Sequence, residues 1–438
     1  MPVSPIDCEP IDWRFHLQNN PPTLSSKPPP MHTVVEALQA IDRTIKPGIP
    51  REVPVFQSAG SRAAEPIEAC SDSPPFDKAL MDGFAVRSQD IQPNVTLRVQ
   101  ERLTAGQVPK LPLSPGVTTQ VMTGTQVPDG TDAVVRVEDV NDPEAEELTL
   151  SISSLAAGRN VFHRGESMQT GETILKPGEL LEFPKIALLA ELGVMSVSCF
   201  PRPTVSVLAT GDELVPANQQ PGPGQIRNSN EPMLVAQVAN AGGIPQPVGI
   251  ARDTEEDLRE KIATGLESDF LLLSGGVSAG VLDLVPKMLA ELGVQQVFHK
   301  VQMKPGKPIW FGLRSANPDE GTNACYVFGL PGNPVSSMVC FELFVRRAMA
   351  RFQKVGGMDL EPLQARLTQP HLVKGDRPVY HPARVSIAGS EVTARPVRWV
   401  GSADLRGAAE ANGMIAFPPR SDSYEADEFV DAWCWFQR

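Results

Sequence analysis

Lys304 and Lys307 flank a glycine in "MKPGKP" (303–308), and three other turns marked by Gly or Pro carry the remaining groups of chemical interest. "ATGDEL" (209–214) sets Glu213 two residues past Gly211, and "SGGVSAGVLD" (274–283) brings Gly275, Gly276, Ser278 and Asp283. "GLPGNPVSS" (329–337) contributes Asn333 and Ser336. Lysine ammoniums and bare backbone amides suit phosphate or another oxyanion. Carboxylates beside them suit Mg²⁺, which binds through one or two carboxylates and completes its shell with substrate phosphates and water. A single helix terminus contributes only about 0.3 to 1 kcal/mol, so the lysines and a metal must supply most of the binding. The set therefore points to a phosphorylated ligand with a divalent ion. Gly and Pro punctuate any sheet, so no one of these turns is informative alone. The run "FLLLSGGVSAG" (270–280) leaves two readings open: an anion lying on bare amides, or a plain tight turn.

For these turns to converge they must lie at one end of one sheet, and the intervening sequence has the pattern for it. "TVSVLATG" and "DFLLLSGG" read as buried strands, and "GVQQVFHKVQM" as a further strand. Between them stand three helices: "EPMLVAQVANAGG", opened by Asn230 and closed by Gly242; "TEEDLREKIATGL", with Leu258, Ile262 and Leu266 at spacing four; and "VLDLVPKMLAELG". "VSSMVCFELFVRRAMARF" reads as the last helix of the unit. Alternating strands and helices over 203–352 predict a parallel sheet wrapped by helices, with ligands at the carboxyl ends of its strands.

The rest of the chain divides by composition. Residues 1–31 end in "NNPPTLSSKPPP" and read as a flexible proline-rich tail. "HTVVEALQAIDRTI", with Val35, Leu38 and Ile41 on one face, and "EFPKIALLAELG" are short helices expected to pack against each other, forming a linker unit from 32–47 and 170–202. Between them, 48–169 is rich in short β-prone runs and turns and reads as an inserted β module, while 353–438 reads as a small β domain.

Bulk properties exclude several classes. A chain of 438 residues, 41% hydrophobic, is a multidomain globular protein. No apolar run is long enough to span a membrane, and "MPVSPIDCEPIDWRFHLQNN" lacks the pattern of a secretory signal, so a cytoplasmic location is expected. A net charge of −13 argues against nucleic-acid binding. The 6 cysteines are scattered without metal-ligand spacing and read as small buried hydrophobes. GxxxxGK[ST] and strand-linked GxGxxG signatures are missing, which leaves kinase and dehydrogenase chemistry unsupported. His299 reads as structural.

Two stretches of the inserted module also stand out, "FDKALMDGFAVR" (76–87) and "VMTGTQVPDGTDAVVRVED" (121–139). Taken by themselves, Asp82-Gly83 and Asp129-Gly130 are ordinary turn dipeptides. Taken with "TGDEL", "IRNSN", "SGGVSAGVLD", "KPGKP" and "GLPGNPVSS", in this order, they make the chain resemble MoeA and the E domain of gephyrin from about residue 32 onward. The resemblance implies an elongated homodimer of α/β plus β class, with a MogA-like α/β subdomain, an inserted β subdomain and a C-terminal small β-barrel. It further implies Mg²⁺-assisted insertion of molybdate into adenylylated molybdopterin with release of AMP. The substrate would come from a MogA-type adenylyltransferase and the product would pass to molybdoenzymes. Carried over by motif, Asp82, Thr123, Glu213, Asp253 and Asp283 resemble the family's acidic and polar active-site positions, with Glu213, Asp253 and Asp283 as the metal set. Lys304, Lys307, Ser336, Asn333 and Ser402, with Gly275, Gly276 and Ser278, resemble its substrate-binding positions. The family places the site between the α/β unit of one protomer and the inserted module of the other.

The chain departs from the family at two places. "FHRGESM" carries Phe162 and Ser167 where an arginine and an acidic residue are frequent, and "RPVYHPARV" puts Pro382 where many members carry an arginine that helps hold molybdate. Arg384, two residues on along a strand, shares a face with Pro382 and is the expected substitute. A non-catalytic scaffold, like gephyrin in its clustering role, could dispense with the carboxylates and lysines that this chain retains.

Overall fold

A computed structural model describes residues 31–276, 284–354, 362–373 and 375–435. The expected tail lies, apart from Met31, outside the described residues, as do Ser278 and Asp283.

The α/β unit is built on the strand Phe270–Ser274, every residue of which is buried. Successive side chains of a strand point to opposite faces. Phe270 and Leu272 accordingly enter one hydrophobic core, and Leu271 and Leu273 enter another. The helix Asn230–Asn240 and the helical segment from Pro334 to Phe352 cover the first face, while Glu255–Gly265 and Leu284–Glu291 cover the second. An apolar run without alternation is what a strand covered on both sides requires.

Six strands form the sheet, in the order Ile244–Ala251, Thr204–Thr210, Phe270–Ser274, Cys325–Leu330, Trp310–Arg314, Val294–His299. The first four are mutually parallel, whereas Trp310–Arg314 runs antiparallel to both of its neighbours. The wholly parallel sheet expected from the sequence is thus corrected to a mixed one. The connection from His299 to Trp310 is too short to hold a crossover helix, so it returns the chain as a hairpin.

The helix Val34–Thr44 starts on a capping box, with Thr33 and Glu36 each bonding the other's backbone amide. It does not share a core with the helix Phe183–Glu191, as its flanking position suggested. Ala37, Ala40 and Ile41 enter the core of the α/β unit, Val35 is exposed, and Asp42 accepts from both Arg347 and Arg351. Leu189 of the other helix packs in a separate core with Val55 and Val197. Backbone pairing also ties the first part of the expected insertion to the segment beyond its far end: Arg51–Pro54 pairs with Ser196–Phe200, and Ile67–Glu68 with Thr173–Leu175.

Beyond these, a five-stranded sheet orders Ala133–Arg136, Gly83–Val86, Val117–Val121, Thr96–Leu103 and Glu147–Thr149. A Cβ on Gly83 would lie 1.9 Å from the Val135 carbonyl oxygen, so only glycine fits where this strand pairs on both sides. At the C-terminal end, Leu363–Leu367, Glu391–Pro396, Val379–Ala388, Gly413–Phe417 and Phe429–Cys434 close a barrel around Val385, Ile415 and Phe417. No described helix is long and apolar enough to cross a membrane.

Candidate active site

The four parallel strands end together, and the loops leaving them line a cavity of about 650 Å³. One strand end brings Thr210 and Glu213, the next Asp253, the third Ser274, Gly275 and Gly276, and the fourth Gly332 and Asn333. Gly275 and Gly276 have φ of 102° and 63°, in the region that favours glycine. Side chains there would also run into Thr210: a Cβ on Gly275 would lie 2.6 Å from its carbonyl oxygen, and one on Gly276 2.9 Å from its Oγ1. The bare backbone after the central strand is therefore demanded by close approach to the neighbouring strand end as well as by the turn.

Glu213 stands on a loop tied to the adjacent strand end. The Arg252 guanidinium donates from Nη1 to the carbonyls of Asp212 and Leu214, 3.1 Å each, and so straddles Glu213. The Asp253 amide donates to Asp212 Oδ1 at 3.2 Å. Two carboxylates, on Glu213 and Asp253, thus reach one cavity from loops fastened to each other. Among the described residues no group of three His, Cys, Asp or Glu side chains gathers to hold a metal. A pair of carboxylates in a cavity open to ligand suits Mg²⁺, which takes its other ligands from water and substrate phosphate.

A second cavity, of about 470 Å³, holds the lysines. The turn carrying them is fastened to the barrel: the Lys304 amide donates to the Pro378 carbonyl at 2.9 Å, and the Tyr380 amide donates to the Lys304 carbonyl at 2.8 Å. That pairing brings Arg377 alongside, with Nη1 donating to the Met303 carbonyl at 3.3 Å. Lys304, Lys307 and Arg377 line the cavity together with Ser336 and Ser402. Lys304 and Lys307 form no ion pair among the described residues. Arg377 also pairs with the exposed Asp376, Nε to Oδ1 3.8 Å; cations gathered in one small space repel each other, and a bound anion relieves that repulsion. The two cavities share Asn333.

Arg384 does not belong to this set. Ala383 and Val385 point into the barrel core, so Pro382 and Arg384 do share the outer face; there Pro382 is covered while Arg384 stands exposed, opposite Arg395, and lines neither cavity. Arg377, which the sequence reading did not single out, lines the lysine cavity. Asp82 and Thr123 come together on the inserted sheet but line neither cavity. Asp82 Oδ1 accepts from the Thr123 amide and from its hydroxyl, 2.7 Å each, and these bonds, the amide's first, hold the Asp82 carboxyl below the ordinary carboxylate range.

Comparison with known proteins gives this geometry a context. Residues 32–193 match the family model of the MoeA N-terminal region (domain I and II), and residues 364–435 that of the MoeA C-terminal region (domain IV). Between them, residues 206–351 match the model described as "Probable molybdopterin binding domain". A molybdopterin molybdenumtransferase of Staphylococcus aureus is 31% identical over 411 residues, which are 91% of this chain and 94% of that one. The chain belongs to the MoeA family. A molybdopterin molybdenumtransferase of Synechococcus elongatus is 36% identical over 305 residues, 67% of this chain and 73% of its own length. The crystal structure of a molybdopterin biosynthesis MoeA protein from Pyrococcus horikosii superposes with a TM-score of 0.73 at 31% identity, covering 93% of this chain and 100% of that one. MoeA proteins are transferases of molybdenum cofactor biosynthesis. In this MoeA chain all three matched regions carry candidate residues: Asp82 and Thr123 in the first, Glu213, Asp253, Lys304 and Lys307 in the second, Arg377 and Ser402 in the third.

Proposed function

We propose that the chain transfers molybdate to the dithiolene of adenylylated molybdopterin and releases AMP, with Mg²⁺ at Glu213 and Asp253. The observation that carries this reading is the contiguity of the two cavities at Asn333, one lined by paired carboxylates and the other by Lys304, Lys307 and Arg377. Lysines act as compact point charges and arginine as a planar fork, a combination that suits a tetrahedral oxyanion. Ser336 and Ser402 add hydroxyls that adjust to the oxygens of the anion. Molybdate held there lies next to a ligand whose phosphates occupy the carboxylate cavity, so two reactants are positioned before they react. Mg²⁺, when bound, neutralises charge that develops on the phosphates as the anhydride to AMP is cleaved. Glu213 and Asp253 orient that charge, and the tie between their loops keeps the pair in register.

Asp283 and Ser278 join the same reading through their motif, as further metal and phosphate ligands. Asp82 and Thr123 are assigned to the site of a second copy in a homodimer; an exposed, mutually bonded polar pair that lines neither of the two cavities described above supports this. So do Phe183 and Met195, at 85% and 79% exposed on the linker region. In this reading residues 32–47 and 170–202, 48–169, 203–352 and 353–438 are the four structural units. A MogA-type enzyme supplies the adenylylated substrate and molybdoenzymes receive the product. The thiols of Cys70, Cys199, Cys325 and Cys340, which form no disulfide among the described residues, fit a cytoplasmic setting.

Incubating the protein with adenylylated molybdopterin, molybdate and Mg²⁺ tests the reading. AMP must appear in proportion to molybdenum cofactor formed; no AMP above the protein-free rate would refute it.

A further inference from the structure

A cavity of about 710 Å³ lies beside the edge strand Ile244–Ala251. It shares Asn228 with the carboxylate cavity and no residue with the lysine cavity. Pro216, Ala217, Pro232, Val235, Pro247 and Ile250 line it. The charged side chains at its margin are already engaged. Glu231 accepts from the Gly249 amide and from Asn228 Nδ2, 2.9 Å each. Lys261 donates to the Ile250 carbonyl at 2.6 Å and pairs with Asp257, while Arg252 holds the carbonyls of Asp212 and Leu214. What the cavity still offers is its apolar wall, so it favours an apolar side chain over an ion. A strand added at this edge is a poor occupant. The Ile244 amide points into the sheet, to the Pro203 carbonyl, so positions 245 and 247 face outward; both are proline and have no amide to give. The Gly249 amide beyond them is taken by Glu231.

The chain carries a segment of matching chemistry. In "IDWRFHL" (11–17), Ile11, Trp13, Phe15 and Leu17 alternate with polar residues, a pattern that gives an extended segment one apolar side. Its connection to the fold has the right length and starting point. The Gln302 amide donates to the His32 carbonyl at 2.8 Å and Gln302 Nε2 to the Met31 carbonyl at 3.4 Å. This junction lies just past the strand Val294–His299, at the opposite edge of the six-stranded sheet from Ile244–Ala251. Neighbouring strands lie about 4.8 Å apart, which puts the two edges about 24 Å from each other. The intervening "NNPPTLSSKPPP" (19–30) covers about 3 Å per residue when its prolines extend it, about 37 Å in all. That suffices to cross the sheet, and it is short enough to hold the segment near the cavity at an effective concentration of about 1 mM. We propose that residues 11–17 of the same chain dock on this cavity and that the Trp13 indole fills it. An indole buries about 200 Å² of largely apolar surface in such a place. The docking does not depend on the transferase reading.

Replacing Trp13 in the full chain by the photoreactive residue p-benzoylphenylalanine tests the proposal. Irradiation should cross-link the residue within its own chain, and peptide mass spectrometry should place the new bond at 216–217, 232–235 or 247–250. Val235→Glu sets a charge in the cavity and should lower the yield of that product about tenfold. Pro247→Glu, on the exposed edge, should do the same and keeps the test intact should Val235→Glu not fold. Ile387→Glu, at an exposed position of the barrel, should leave the yield unchanged. A product of doubled mass on a denaturing gel would overturn the proposal by seating the segment on a second copy. Cross-links confined to other parts of the chain would overturn it as well, as would no cross-link within the chain or a yield that neither cavity variant changes.

Discussion

Asn333 donates from Nδ2 to the Ser402 hydroxyl at 3.0 Å, joining the α/β unit to the barrel at the wall between the two cavities. The Val335 amide reinforces the junction by donating to the Ser402 carbonyl, also at 3.0 Å. Ser402→Ala removes the hydroxyl and leaves the backbone bond. An exposed hydrogen bond contributes about 0.5 to 1.5 kcal/mol, so we expect molybdate affinity to fall about two- to tenfold with little change in unfolding temperature. Equilibrium dialysis with molybdate measures it, and unchanged affinity would leave Ser402 as a plain connector.

Arg377 and Arg384 lie seven positions apart, and the geometry gives them different fates. Arg377→Gln removes one of three cations from the oxyanion cavity and should weaken molybdate binding by about tenfold, comparable to other charge-assisted contacts. Arg384→Gln, on the exposed outer face of the barrel, should leave it unchanged. The reverse pattern in the same dialysis would restore Arg384 as the molybdate ligand.

Much of this site was readable before the fold was known. The all-apolar run at 270–273 pointed to a buried strand, and the glycines that follow Ser274 pointed to positive φ or close approach. "MKPGKP" and "TGDEL" declared their charges directly. Arg377 was not singled out because it reaches the cavity from a loop, held in place by long-range backbone bonds of Lys304 with Pro378 and Tyr380 that leave no local pattern. The link between Arg51–Pro54 and Ser196–Phe200 escaped notice for a similar reason, since strands this short have too little alternation to reveal a distant partner. The antiparallel strand Trp310–Arg314 was legible in principle: the segment between His299 and Trp310 is too short for a parallel return.

Arg252 is expected to act through Glu213. Arg252→Ala frees the carbonyls of Asp212 and Leu214, so the Mg²⁺ concentration for half-maximal AMP release should rise about three- to tenfold while the molybdate requirement is unchanged. Arg252→Lys should recover part of the loss. A lower unfolding temperature with an unaltered Mg²⁺ requirement would make Arg252 a stabilising residue only.

His381 is buried beside Trp399 and Phe417, and burial pushes its imidazole down to about 4; the Pro382 carbonyl opposes this and the neighbouring His371 adds to it. The unfolded chain, with an ordinary histidine near 6.5, therefore binds the proton more readily between those values. Stability contributed by neutral His381 is present above about pH 6.5, is lost as pH falls, and is fully lost below about 4, a change of roughly 3 kcal/mol at most. Urea unfolding at pH 7 and pH 4.5 should show a smaller difference for His381→Gln than for wild type. Equal differences would place the acid sensitivity elsewhere.

The division of labour between the two cavities is tested most directly by AMP release measured across a grid of molybdate and Mg²⁺ concentrations, for wild type, Lys307→Gln and Asp253→Asn. Lys307→Gln should raise the half-saturating molybdate concentration about tenfold and leave that of Mg²⁺ in place, while Asp253→Asn should do the opposite. Variants that shift both requirements alike, or neither, would contradict the assignment of molybdate to the lysine cavity and of the metal to the carboxylates.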